Sequence, residues 1–301
     1  MRLLVLDGAA AMQAIVLGAD AAPGRVRFYA DVLQIFPVPK GSADRFDLGS
    51  GGPQAEALAE LVMHAYGTVS IEILRRRLGS LRVLAASRVR AGAKAPRQLR
   101  VGTGDVVVSE RRQPHAGFFG LEVLTLTHAR FDGSTSPPIT REVFLSGDAV
   151  TVLPYDPVRD RVLLIEQMRV GPLGRGDPLP WQLEVIAGRI DPGETPEIAA
   201  RREAVEEARL QLGDLLKVAE YYPTPGAVAE YLYSYVALCD LPDGVAGVFG
   251  AADEAEDIRG LVLSFDALLA ALAEGEITNA PLILSVLWLQ RERDRLRNVQ
   301  E

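Results

Sequence analysis

Three glutamates within one helix-forming stretch, Glu203, Glu206 and Glu207, carry the clearest chemical signal in this chain. Glu203 and Glu207 stand at i and i+4 and so share one helix face, with Glu206 flanking it. Like charges at that spacing repel one another and weaken a helix. A divalent cation would reverse the effect. Mg²⁺ is a hard ion that takes carboxylate oxygens and often shares its coordination shell with substrate phosphates. Charge pattern alone also allows a solvated acidic helix face, so the elements around the glutamates have to decide.

The helix that holds them is expected over Pro196–Leu210. Thr195 suits the N-cap and Pro196 the first helical position, and Ala, Arg and Glu propagate the helix well. Val106–Val108, Leu121–Leu126, Ala149–Leu153, Val162–Gln167 and Tyr231–Leu238 read as strands. Further helices are expected over Asp266–Ala273 and Ala280–Arg297. Strands with a few helices on their faces predict a mixed α/β (α+β) module. Upstream, Leu3–Leu6 and Val32–Phe36 read as strands, and Ala55–Tyr66 and Ser70–Leu78 as helices. The basic run Arg75–Arg77 suits a solvated helix end. The small, basic, Pro- and Gly-marked segment 91–103 reads as a linker, which predicts one domain over 1–100 and a second over 101–301.

Composition narrows the function. Residues 1–102 hold 14 Lys and Arg against 8 Asp and Glu (net +6), and residues 103–301 hold 18 against 32 (net -14). An acidic second module disfavours nucleic acid as a partner, while metal ions between carboxylates and phosphates would still admit an anionic substrate. One cysteine, Cys239, excludes an internal disulfide framework and fits a reducing, cytoplasmic setting. With three scattered histidines, a structural zinc site is disfavoured. No apolar run reaches the roughly 20 residues of a membrane span. The start, MRLLVLDGAAAMQAIVLGAD, reads as a strand and helix rather than a signal peptide.

The full spacing GRIDPGETPEIAARREAVEEARL, with Gly188, Glu194, Arg202, Glu203, Glu206, Glu207 and Leu210 at fixed positions, resembles the Nudix box. Residues 103 to 292 further resemble the bacterial ADP-ribose pyrophosphatases. The matching segments are HAGFFGLEVLTLTHARFDGS before REVF, LPYDPVRDRVLLIEQMRVG, WQLEVIAG, TPGAVAE, EAEDI and ITNA. The resemblance implies an α/β/α sandwich with a mixed sheet, here preceded by a smaller α/β domain. It implies Mg²⁺, or Mn²⁺, held by Glu203, Glu207, Glu256 and the Ala187 carbonyl, with Glu206 in the same cluster. Arg202 would hold a box glutamate in place, and Glu254 would activate the attacking water. Arg141, Arg169 and Glu230 would contact substrate, with surface pairing of Arg141 and Arg169 to Glu142 and Glu166 as the alternative. The implied reaction is hydrolysis of ADP-ribose to AMP and ribose 5-phosphate, in a homodimer with exchanged N-terminal strands. Another nucleoside-diphosphate sugar such as GDP-mannose, or a non-catalytic module that senses ADP-ribose, are the alternatives. Two departures stand out: Arg209 occupies the glycine position that closes the box, and Ala227, Val228 and Ala229 alter the TPGAVAE loop. Short stretches (Ala22–Phe28 and Phe36–Val38) resemble the γ-glutamylcyclotransferase-like module of tellurite-resistance Nudix proteins, which implies an inactive or regulatory first domain.

Overall fold

The computed structural model describes residues 23–35, 52–92, 106–249 and 257–298. The expected strand Leu3–Leu6, most of the expected linker, and Glu254 and Glu256 lie outside those residues. The chain divides into two compact units, Met1–Gly147 with Thr224–Ala229, and Asp148–Pro223 with Glu230–Glu301.

In the first unit the described residues up to Gly92 form helices α1 (Pro23–Leu33), α2 (Pro53–His64), α3 (Ile71–Arg76) and α4 (Leu78–Gly92). Their shared core holds Tyr29, Val32, Leu58, Leu61, Val62, Leu74, Leu81 and Leu84. Val32 thus belongs to a helix and not to the expected strand Val32–Phe36, whose last residue lies outside the description. The short apolar run suited either element. Burial of Tyr29, Val32 and partly of Phe28 and Leu33, at helical spacing, selected the helix. Gln34 at φ 57 ends α1, and the Ile35 N–H reaches back to the Ala30 carbonyl at 2.8 Å. The Arg75–Arg77 run is only partly solvated. Arg77 is 5% exposed, because α3 turns directly into α4 there, and its guanidinium packs beside Gly120. Strands β1 (Val106–Ala116) and β2 (Gly120–His128) form an antiparallel hairpin, and β2 pairs with the first half of β3 (Ile139–Asp156).

The second unit begins with the buried half of β3. Its other elements are β4 (Arg161–Met168), α5 (Val170–Arg175), β5 (Trp181–Glu184), β6 (Ile186–Arg189), α6 (Pro196–Ala208), β7 (Leu215–Tyr221), β8 (Val228–Leu238), β9 (Val248–Phe249), β10 (Ile258–Ser264), α7 (Phe265–Glu274) and α8 (Ala280–Asn298). β3 pairs with β4, β6 and β8. β4 pairs with β5 and β10, β10 with β9, and β7 with β8. The period-2 alternation of strands explains the layering. Val150, Val152, Leu163 and Ile165 point to a core with Ala199, Ala200, Ala204 and Ala208 of α6. Leu153, Tyr155, Val162 and Leu164 point the opposite way, to Phe265, Leu268, Leu282, Val286 and Leu289 of α7 and α8. A sheet covered on both faces needs near-continuous apolar strands, as β3 and β4 supply. The unit is therefore the mixed α/β sandwich expected, and the alanine face of α6 lets that helix lie close to the sheet.

Candidate active site

Helix α6 starts as its sequence dictates. The Thr195 hydroxyl accepts the Ile198 N–H at 3.3 Å, and Pro196 follows it. The helix then carries Glu203 and Glu207 on its buried side, 9% and 4% exposed, while Glu206 faces solvent. Strand β6 receives both. The Ala187 N–H donates to Glu207 Oε2 at 3.1 Å. Glu203 lies flat over Gly188: a Cβ built on that glycine would fall 1.8 Å from Glu203 Oε1 and 1.9 Å from its Cδ. Gly188 does not have a positive φ. The position requires glycine for space, to let a carboxylate rest on the backbone.

Arg202 ties the cluster together. Its Nε and Nη2 grip the two oxygens of Glu194 at 3.0 Å each, a fork on a carboxylate. Nη1 reaches Glu203 Oε1 at 2.7 Å and Glu206 Oε2 at 3.0 Å, and Nη2 also donates to the Arg189 carbonyl at 2.9 Å. The Arg202 contact holds the Glu194 carboxyl below its usual range against the opposing effect of burial, and the Asp191 N–H helps. Hydrogen bonding to Glu194 in turn raises Arg202 above the ordinary arginine value. Arg202 thus serves three carboxylates rather than one. Glu194 is a member that sequence reading placed in the motif without a role, although its spacing from Arg202 was visible.

Within this group of five side chains, one guanidinium stands against four carboxylates, two of them buried. The donors are all oxygen, which suits a hard divalent cation. Among the described residues no three His, Cys, Asp or Glu side chains already converge as a metal cage. Glu206 is turned to Arg202, and Glu254 and Glu256 belong to a segment outside the description.

The remaining expected residues sit as follows. Arg169 follows β4 at the N-cap of α5 and pairs with Glu184, Nε to Oε2 at 2.9 Å and Nη2 to Oε2 at 2.8 Å. Its anticipated surface partner Glu166 pairs instead with Arg259 at 2.6 Å. Strand periodicity gives the reason: Glu166 and Arg169 lie three residues apart and so on opposite faces, and Arg259 stands directly across from Glu166 on β10. Glu230 lies half-buried on β8. Burial raises the Tyr221 hydroxyl pKa and the Glu230 charge adds to that, while a Ser234 contact opposes it. Arg141 belongs to the first unit, exposed on β3, where Nη1 donates to the Thr140 carbonyl at 2.8 Å. Trp181 and Phe118 are 56% and 70% exposed.

At the box's end Arg209 adopts the left-handed conformation a glycine would take, at φ 52 and ψ 31. Its N–H donates to the Val205 carbonyl at 3.0 Å and that of Leu210 to Ala204 at 2.9 Å. The arginine therefore preserves the helix exit and bears the strain.

Comparison with known proteins gives a concordant result. The model of the NUDIX domain matches residues 145–285. The chain is 39% identical over 197 residues to an ADP-ribose pyrophosphatase of Escherichia coli (strain K12), spanning 65% of this chain and 93% of that protein. It is 34% identical to an ADP-ribose pyrophosphatase of Haemophilus influenzae, over 62% of this chain and 86% of that protein. A GDP-mannose pyrophosphatase of Escherichia coli is 33% identical, over 58% and 88% respectively.

Proposed function

Since this chain belongs to the Nudix family, we propose that it is a Mg²⁺-dependent pyrophosphohydrolase that cleaves ADP-ribose to AMP and ribose 5-phosphate. The observation that carries the reading is the pair of buried carboxylates, Glu203 seated on Gly188 and Glu207 on the Ala187 N–H, with Glu203 linked to Glu194 and Glu206 through Arg202. A sensor that only binds would not need such a cluster. The similarity to ADP-ribose pyrophosphatases across most of their length supports the substrate.

Glu203 and Glu207, with the Ala187 carbonyl and Glu256, would hold Mg²⁺ or Mn²⁺, and Glu206 would complete the acidic cluster. The metal, when bound, polarises the phosphoryl oxygens and lowers the pKa of a coordinated water. Arg202 keeps Glu203 and Glu206 aimed. Arg169 and Arg141 offer planar paired donors to the diphosphate, and Glu230 meets the remainder of the substrate. Glu254 accepts the proton of the attacking water. Water adds to one phosphorus, the bridging P–O bond breaks, and the two monophosphates leave.

A homodimer that exchanges N-terminal strands fits the same reading. Val106, Val107 and Val108 of β1 are all exposed, on a strand paired only with β2 among the described residues. No nucleic acid or membrane partner is proposed: the second module is acidic, and no helix among the described residues is long and apolar enough to cross a membrane. The first domain, residues 1–100, is proposed as a regulatory addition to the Nudix domain over 101–301.

The similarity to a GDP-mannose pyrophosphatase sustains one second reading. Comparing kcat/KM for ADP-ribose and GDP-mannose decides between them. A ratio of at least about tenfold in favour of ADP-ribose is expected, equivalent to about 1.4 kcal/mol. A reversed ratio moves the assignment to GDP-mannose.

A further inference from the structure

Arg169 is an expected substrate residue of the second unit whose setting the box does not explain. Its side chain is 42% exposed, yet the carboxylate beneath it, Glu184, is 6% exposed. Exposed arginine pairs contribute little to stability, so the pairing of a buried carboxylate with one calls for another reason.

Glu184 is held by three residues. Both contacts from Arg169 go to Oε2, which also takes the Gln167 amide at 3.4 Å. Oε1 accepts the Asn279 amide nitrogen at 3.0 Å. Asn279 is fixed in turn, because its own amide oxygen accepts the Leu282 N–H at 3.0 Å and so caps α8. Register explains the convergence. Gln167 faces Gln182 across the β4–β5 pair, and Ile165 faces Glu184. Gln167, Arg169, Gln182 and Glu184 therefore share one face. Four donor contacts, three on Oε2 and one on Oε1, surround the carboxylate, which cannot turn without losing some of them.

A guanidinium is planar, with its five N–H groups in a rigid fork. Fixing Nε and Nη2 against Glu184 therefore fixes the direction of the free end, Nη1 with the second hydrogen of Nη2. That end keeps the paired donors a phosphate oxygen pair accepts. Glu184 also lies three residues before Ala187, on the strand that leads into the Glu203 and Glu207 seats.

We propose that Glu184, anchored by Asn279, is the positioning residue that aims Arg169 at the diphosphate of a nucleoside-diphosphate sugar. The proposal rests on the reading of Arg169 as a substrate contact. Its signature is a loss of substrate affinity with the chemical step intact.

The test is a double-mutant cycle on the full chain with ADP-ribose and Mg²⁺, beside thermal melting. Glu184→Gln should raise KM about tenfold, the scale of one charged hydrogen bond, with kcat within about twofold. In an Arg169→Ala background it should add nothing further, since the group it aims is gone. Asn279→Ser keeps a helix cap but removes the donor to Glu184, so it should raise KM about threefold at unchanged Tm. This variant reports even where Glu184→Gln folds poorly. A KM that does not move in Asn279→Ser and Glu184→Gln overturns the proposal. So does a fall in kcat at constant KM, or an effect of Glu184→Gln that multiplies with Arg169→Ala. A wild type that turns over GDP-mannose but not ADP-ribose overturns the substrate reading alone, and the cycle is then read with GDP-mannose. Hydrolysis of neither by the wild type removes both.

Discussion

Gly188→Ala separates fold from function at a single carbon atom. The added Cβ would lie 1.8 Å from Glu203 Oε1, 1.9 Å from Cδ and 2.5 Å from Oε2. Carbon does not approach unbonded oxygen within about 3 Å, so the carboxylate must retreat by about 1 Å or more. What the methyl meets is the far end of a flexible side chain, and the backbone at Gly188 has no positive φ to forbid alanine. The strand pairing of Gly188 with Val150 also survives. The stability cost is then mainly the weakened contact from Arg202 to Glu203, about 1.5–3 kcal/mol for a hydrogen bond between charged groups. The better strand behaviour of alanine offsets about 0.5–1 kcal/mol. The net change is a Tm lower by several degrees in a protein that still folds. Function responds differently, because a misplacement of about 1 Å in a reacting constellation can cost about a hundredfold in rate. The assay is AMP release against Mg²⁺ concentration, with a thermal melt on the same sample. A folded Gly188→Ala protein with wild-type kcat would refute the claim that Glu203 must rest on the bare backbone. A protein that does not fold would refute the separation of the two effects.

Other substitutions follow from the same geometry. Arg209→Gly relieves a left-handed residue and should raise stability by about 1 kcal/mol, seen as a higher Tm with unchanged kcat. Asp160, also at positive φ, receives Arg293, Arg297 and the Tyr155 hydroxyl, so Asp160→Asn, which tolerates that backbone, should cost about 1.5–3 kcal/mol by denaturant melt. Burial works to raise the Asp160 pKa, but the hydrogen bonds from Arg293 and Tyr155 outweigh it and hold the carboxyl below its usual range. The stability it confers is thus fully present above the unfolded value of about 3.9 and lost as pH falls through the lower folded one. Asp160→Asn should flatten that acid limb in a pH series of melts, and an unchanged limb would assign acid sensitivity elsewhere.

Much of the box unit was legible in the sequence because its signals are local. Thr195 and Pro196 mark the start of α6, and the near-continuous apolar runs of β3 and β4 tell a doubly covered sheet. The Glu203 and Glu207 spacing tells which side of the helix matters. Partnerships across elements were harder. The Glu184 pairing of Arg169 depends on the β4–β5 register, which no local pattern reveals, although period 2 alone would have removed Glu166 as its partner. Arg209 was visible as a departure, but only the backbone tells that it copies the glycine conformation instead of changing the exit. Val32 misled because four or five apolar residues fit either a strand or a helix until their packing partners are known.

The most direct test of the account measures AMP formation from ADP-ribose with Mg²⁺ by the wild type and by Glu207→Gln, with circular dichroism confirming both folds. Glu207 is buried against the Ala187 N–H, so the neutral amide fits the same space and removes only the charge. The account predicts AMP from the wild type, abolished by chelation, and a fall of at least about a hundredfold in the variant. Turnover near the wild-type rate in a folded Glu207→Gln protein would contradict it.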